Sequence, residues 1–286
     1  MINTPEMRGD YSLMCSARTP QLIVFLLDRG RSMADGINGE SKMETACRVI
    51  NRIITRLILA NINGPTIKNR YHIAVLGYGE DYLKLCSGSL SDLFDNPLRV
   101  EETNREVADG NGGLVTVPVR FPVFVDTEAQ KSDSNLSAAI MFAKAYIEEW
   151  MSDKNELPAP IVVNVSDGNN LDLSLIERVS SSLKSLEELP SIDGPSLFYS
   201  MLIGSNFDIS VLDKKDSNNH HAPLQAIVSN VPNNHCQCIY FAYKPEDYDS
   251  THSPLIGLTT HENELYSIIN ASAGIGRAYR FEWDYA

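Results

Sequence analysis

Residues 22–27, LIVFLL, form an unbroken apolar run, and Asp28 follows it directly. A strand with one face in water alternates polar and apolar residues, so a run apolar on both alternate sets calls for a strand covered on both sides. That is the environment of a parallel sheet packed between helices. After a short polar loop, Met43, Ala46, Cys47, Ile50, Ile53, Ile54, Leu57 and Ile58 recur at helical spacing, with Arg48, Arg52, Thr55 and Arg56 opposite. The spacing predicts an amphipathic helix that ends at Asn63-Gly64-Pro65. Residues 72–78 (HIAVLGY) read as a second strand and 82–86 as a weaker one. Residues 87–117, with Gly110-Asn111-Gly112-Gly113, read as mostly loop, with room for an extra hairpin ending at 118–125.

The second half repeats the alternation. Leu136, Ala139, Ile140, Ala143, Tyr146, Ile147 and Trp150 form an apolar stripe that stops near Pro158, and residues 161–165 (IVVNV) form a third core strand. Ile176, Val179, Leu183 and Leu186 mark a helix ended at Pro190, and residues 197–203 and 236–242 read as strands. Thr259 and Glu262 stand at capping-box spacing before a last helix that would bury Leu265, Ile268 and Ile269. Strands and helices in this order predict an α/β, Rossmann-like, doubly wound and mostly parallel sheet flanked by helices. Residues 1–20 are polar, hold two prolines and read as an arm. Residues 21–286 read as a single domain with a polar insert around 205–235.

Charge and cysteine content narrow the function. The 24 basic and 37 acidic residues give a formal charge of -13, the wrong sign for tracking a phosphate backbone, so no nucleic acid is expected as partner. No run of about 18 apolar residues occurs, and the first residues lack the apolar stretch of a secretory signal, which predicts no membrane span and a cytoplasmic protein. Five cysteines, Cys15, Cys47, Cys86, Cys236 and Cys238, fit reduced thiols better than a disulfide framework. Arg8-Gly9-Asp10 matches an integrin-binding tripeptide, but so short a motif counts only in an extracellular context. His220, His221, His235, Cys236 and Cys238 are residue types that bind zinc, yet their spacing fits no zinc pattern. Cys236 and Cys238 share one strand face, as core residues would. His72, which opens a core strand, reads as a satisfied histidine rather than a base.

In a doubly wound sheet ligands bind at the carboxyl ends of the strands, near the point where strand order reverses. The loops there read Asp28-Arg29-Gly30-Arg31-Ser32-Met33, Asp133-Ser134-Asn135-Leu136 and Ser166-Asp167-Gly168. They offer hydroxyl and carboxylate oxygens without sulfur or imidazole, which suits a hard cation. Taken singly, Asp28 and Asp167 could simply cap turns or helices, as Asp commonly does. Their joint placement at strand ends of one sheet favours a ligand site.

These loops resemble those of the von Willebrand factor A family. The family's metal-ion-dependent adhesion site uses Asp-x-Ser-x-Ser after the first strand, a Thr before a later helix and an Asp after the fourth strand. VFLLDRGRSM is similar to the first, SNLSAAI to the second and VVNVSDG to the third, over roughly residues 21–274. The resemblance implies that Asp28, Ser32, Ser134 and Asp167 form the metal site, with the hydroxyls touching the ion and the aspartates acting largely through water. Gly30 stands where the family has its first serine, which removes one ligand. The implied cofactor is Mg²⁺, or Mn²⁺ or Ca²⁺, and the implied function is a non-enzymatic protein-interaction module. A partner would present an acidic side chain, as in stand-alone members of bacterial assemblies of the tellurite-resistance or ATPase-linked kind. An alternative is that Arg29 or Arg31 folds back on Asp28 and replaces the cation, leaving a metal-independent scaffold. A nucleotide-utilising enzyme lacks support, since neither Gly-x-Gly-x-x-Gly nor a Walker motif is present. A Ser-His-Asp hydrolase fares no better, because Ser32 and Ser134 do not sit in a Gly-x-Ser-x-Gly elbow.

Overall fold

The computed structural model describes residues 13–37, 39–110, 112–154, 156–168, 173–189, 191–204, 236–242 and 256–259. Its centre is β1 (Gln21–Asp28), whose apolar run is fully buried, with Leu22 to Leu27 each at 0% exposure. Two tiny hairpins, β2 (Gly36–Ile37) with β3 (Glu40–Ser41) and β4 (Ile62–Asn63) with β5 (Thr66–Ile67), flank helix α1 (Lys42–Ala60). β6 (Tyr71–Tyr78) and β7 (Tyr82–Ser89) follow, then α2 (Leu90–Asp95) and a separate antiparallel ribbon of β8 (Arg99–Ala108) and β9 (Leu114–Val123). The other elements among the described residues are α3 (Leu136–Met151), β10 (Ile161–Ser166), α4 (Leu173–Glu187), β11 (Leu197–Gly204), β12 (Cys236–Ala242) and β13 (Ile256–Thr259).

Among the described residues the main sheet has seven strands, in the order β13-β12-β11-β10-β1-β6-β7. Neighbours pair in parallel, except that β7 runs antiparallel to β6 at the edge. The fold is therefore α/β with a mostly parallel sheet flanked by helices. Strand alternation divides the core in two. Ile23, Phe25 and Leu27 pack with Ile50, Ile53, Ile54 and Leu57 of α1 on one side. Leu22, Val24 and Leu26 pack with Ala139, Ile140, Ala143 and Ile147 of α3 and Leu183 of α4 on the other. Each fully buried Leu or Ile side chain contributes roughly 1.5–3 kcal/mol, which is why polar residues enter β1 only at its two ends, Gln21 and Asp28. The chain leaves β1 toward β6 on one side and later returns to β10 on the other, so strand order reverses between β1 and β10.

α1 starts at Ser41, whose hydroxyl accepts from the Glu44 N–H while the Glu44 carboxylate accepts from the Ser41 N–H. This capping box fixes the first turn of the helix. Asn51 on α1 accepts from the N–H groups of Phe124 and Val125 and donates to the Val125 carbonyl, pinning the chain that leaves β9. The segment from residue 87 that reads as mostly loop also holds the end of β7 and α2, which Ser89 caps through a second reciprocal pair with Asp92, and the extra hairpin that it leaves room for is the ribbon β8–β9. The last helix, the insert at 205–235 with His220, His221 and His235, and Arg8-Gly9-Asp10 lie outside the described residues. Among the described residues no helix is long and apolar enough to cross a membrane.

His72 is satisfied near the start of β6, between β1 and β7. Its Nε2 lies 3.3 Å from Ser87 Oγ and 3.2 Å from Tyr146 OH, and its ring lies tilted against Trp150 with the centroids 5.4 Å apart. Burial, helped by the Lys154 ammonium, pushes its pKa down to about 4. The folded chain thus holds His72 neutral at pH values where the unfolded chain, with an ordinary pKa near 6.5, already binds a proton. Its contribution to stability is complete above about pH 6.5 and is lost progressively as pH falls toward 4. Urea midpoints measured across this window should fall less steeply for His72→Gln than for the parent. Parallel curves would show that other groups set the acid limb.

Candidate functional site

β1 and β10 are neighbours in register, with Leu27 opposite Val165. Their next residues out, Asp28 and the Ser166-Asp167 pair, therefore emerge side by side at the carboxyl edge, at the point where strand order reverses. Both carboxylates are buried, each residue at 3% exposure. Gly168, at φ 73°, turns the chain away immediately after Asp167 in a backbone conformation that glycine adopts without strain.

Backbone straps deliver the third loop. The Gln130 N–H donates to the Arg29 carbonyl at 2.6 Å, and the Arg31 N–H donates to the Ser132 carbonyl at 2.8 Å. Ser134 is thereby carried over Asp28 and hydrogen-bonds its carboxyl group. The Gln130 side chain locks the strap from behind, donating to Asp81 Oδ1 at 2.7 Å while accepting from the Glu80 N–H at 2.5 Å. A Cβ at Gly79 would collide with Gln130 Oε1, so glycine is what admits that side chain. Ser32 lies in a single 3-10 turn, Arg31–Ala34, and its hydroxyl donates to Asp167 Oδ1 at 3.1 Å. Asp28, Ser32, Ser134 and Asp167, drawn from three loops, are thus brought together.

Electrostatics in this cluster is set by burial. Desolvation pushes Asp28 up to about 6, opposed by the Gly30 N–H, which donates to its Oδ1 at 2.7 Å, and reinforced by the neighbouring Asp167 charge. Beneath it, Tyr78 OH donates to Asn164 Oδ1 at 2.8 Å, and Asn164 donates onward to Ser166 Oγ at 3.2 Å. Burial, with the two nearby carboxylates, drives the Tyr78 phenol well up, so it stays a neutral donor.

The loop arginines do not turn back on Asp28. Arg29 pairs with Asp81 at 2.6 Å and Arg31 with Asp133 at 3.1 Å, because both guanidiniums find exposed carboxylates without entering the buried cluster. The ammonium that does enter belongs to Lys42. Its Nζ lies 2.7 Å from Asp167 Oδ2 and 3.3 Å from Asp35 Oδ2. Sequence reasoning missed Lys42, Tyr78, Asn164 and Gln130. For Lys42 a signal was present: it is the first residue after the Ser41 cap, where the positive end of the helix dipole disfavours a cation. A lysine there needs a local carboxylate to hold it.

The donor set is two carboxylates and two hydroxyls, which fits Mg²⁺ or Mn²⁺ in chemistry. Gly30 adds no side-chain ligand, but at φ -63° and ψ 163° its backbone would accept a serine. Among the described residues no group of three or more His, Cys, Asp or Glu side chains could hold a metal ion, so a cation here would depend on the hydroxyls.

No family model matches the chain, and no curated protein matches it significantly. Among solved structures it is similar to the conserved hypothetical protein BatB from Bacteroides thetaiotaomicron, at 11% identity and TM-score 0.48, over 88% of this chain and 98% of that one. It is also similar to an aerotolerance-related membrane protein from Bacteroides fragilis, at 12% identity and TM-score 0.45, over 89% and 99% of the two chains. A weaker likeness, at TM-score 0.32 and 12% identity, is to three N-terminal domains of the type V pili tip protein Mfa5 from Porphyromonas gingivalis, over 53% of this chain and 20% of that one.

Removing the Ser32 hydroxyl deprives a buried carboxylate of a donor. Hydrogen bonds to charged groups are worth about 1.5–3 kcal/mol, so Ser32→Ala should lose about that much in urea unfolding at pH 7 in chelator-treated buffer. A loss under about 0.5 kcal/mol, the usual range for surface substitutions, would mean that Asp167 does not depend on this donor.

Proposed function

We propose that the chain is a non-enzymatic protein-interaction module of the von Willebrand factor A type, with its contact surface at the carboxyl edge of β1 and β10. The observation that carries this reading is the convergence of Asp28, Ser32, Ser134 and Asp167 from three separate loops at the strand-order reversal. Ser32 and Ser134 would hold Mg²⁺ or Mn²⁺ directly, and Asp28 and Asp167 would supply the balancing charge. When bound, the ion gives a partner's carboxylate a Lewis-acidic seat. The chain's own charge of -13 makes that seat necessary, because an acidic partner would otherwise be repelled on approach.

Binding to the folded state alone raises the melting temperature with ligand concentration. Melting temperature against Mg²⁺ should therefore rise for the parent and stay flat for Asp28→Ala and Asp167→Ala. Gly30→Ser should shift the curve to about tenfold lower Mg²⁺, the lower end of what site perturbations cost. Superimposable curves for all four proteins would remove the cation from this reading and leave a metal-independent module.

A further inference from the structure

Lys42 sits in the cluster that the proposed cation would use, and the role inferred for it rests on that reading. Its side chain is 12% exposed and its partner Asp167 is 1% exposed, so their pair is shielded from solvent. Asp35, by contrast, is 66% exposed. The same ammonium touches both carboxylates, at 2.7 Å and 3.3 Å, and so needs only a small movement to leave one for the other. Covalent and backbone links hold Asp35 in place for this. Its N–H donates to the Ser32 carbonyl at 3.2 Å, its carbonyl accepts from the Lys42 N–H at 3.0 Å, and the β2–β3 hairpin closes the loop between them.

We propose that Lys42 is a tethered cation that neutralises Asp167 in the metal-free protein and transfers to Asp35 when a divalent ion enters. Two buried carboxylates without any cation would be costly to keep ionised, and a lysine beside the hairpin supplies one charge without an external ligand. Two cations cannot share Asp167 at close range without mutual repulsion, so metal and ammonium compete for it. The site would then be stable when empty, and metal entry would be coupled to a movement of the Lys42 side chain from Asp167 to Asp35. Such coupling commonly changes affinity by about 5–150-fold.

The test is calorimetric titration of Mg²⁺ into the full chain for the parent, Lys42→Gln, Asp35→Asn and the double variant. Lys42→Gln should bind at least about fivefold tighter, the lower end of such coupling, because it removes the competitor. Asp35→Asn should bind weaker, because the displaced ammonium loses its second seat, and this weakening should shrink in the Lys42→Gln background. That non-additivity separates transfer of the ammonium from a general loss of negative charge. Binding by Lys42→Gln alone, with none by the parent, would leave Lys42 as the cation that neutralises Asp167 but overturn its transfer to Asp35. Equal or weaker binding by Lys42→Gln beside a parent that binds overturns it while leaving the cation site standing. Absence of binding in all four proteins overturns both. Should Lys42→Gln fail to fold, Asp35→Asn decides, since that side chain is 66% exposed and the backbone bonds of Asp35 are kept; parent-like affinity there rejects the transfer.

Discussion

Two carboxylates buried at the ends of adjacent parallel strands shape everything around them at this edge of the sheet. Asp28 and Asp167 are close enough that the charge on one raises the pKa of the other. Each must be surrounded by donors or a cation, because an ionised carboxylate without partners is not tolerated in an interior. The neighbouring structure answers that demand. The Gly30 N–H and the Ser134 hydroxyl serve Asp28, while the Ser32 hydroxyl and the Lys42 ammonium serve Asp167. The straps from Gln130 and Ser132 lie at the same edge and hold the loop that brings Ser134. Local features that look independent, a 3-10 turn, a two-residue hairpin and a helix cap, all help to place a donor against one of these two groups.

The fold is legible in the sequence where burial is total. Residues 22–27 and 161–165 show no polar alternation, except at Asn164, because both faces of a central parallel strand are covered. Legibility fails toward the edges. Strand β13, Ile256–Thr259, has four residues with Gly257 inside and gives neither period nor length. The ribbon β8–β9 mixes Glu101, Glu102 and Glu106 with Pro118 and Pro122, a composition that leaves room for a hairpin without marking its first strand. A two-stranded ribbon with both edges open can accept prolines that a central strand would reject. β7 reads as weak for a related reason: it is an edge strand with Tyr82 and Lys84 exposed to solvent.

Candidate ligands can be named from the sequence because their positions follow from strand ends, and strand ends follow from apolar runs. The compensating cation cannot be found that way. Arg29 and Arg31 are adjacent to the cluster in sequence, yet their guanidiniums settle on Asp81 and Asp133, both in exposed positions. Lys42 is 125 residues from Asp167 in the chain, and only the pairing of β1 with β10 brings them within 2.7 Å. The residue's oddity is electrostatic: a lysine opening a helix opposes the helix dipole. That conflict resolves once two carboxylates face it.

If one cluster serves either an external cation or the ammonium of Lys42, the two occupants must exclude each other at Asp167. Crystals of the full chain grown with Mn²⁺ and measured at the manganese absorption edge reveal both at once. An anomalous peak is expected beside the Ser32 and Ser134 hydroxyls, with Lys42 Nζ withdrawn from Asp167 and resting on Asp35. A peak elsewhere, or none, with Lys42 still on Asp167 would contradict the exchange.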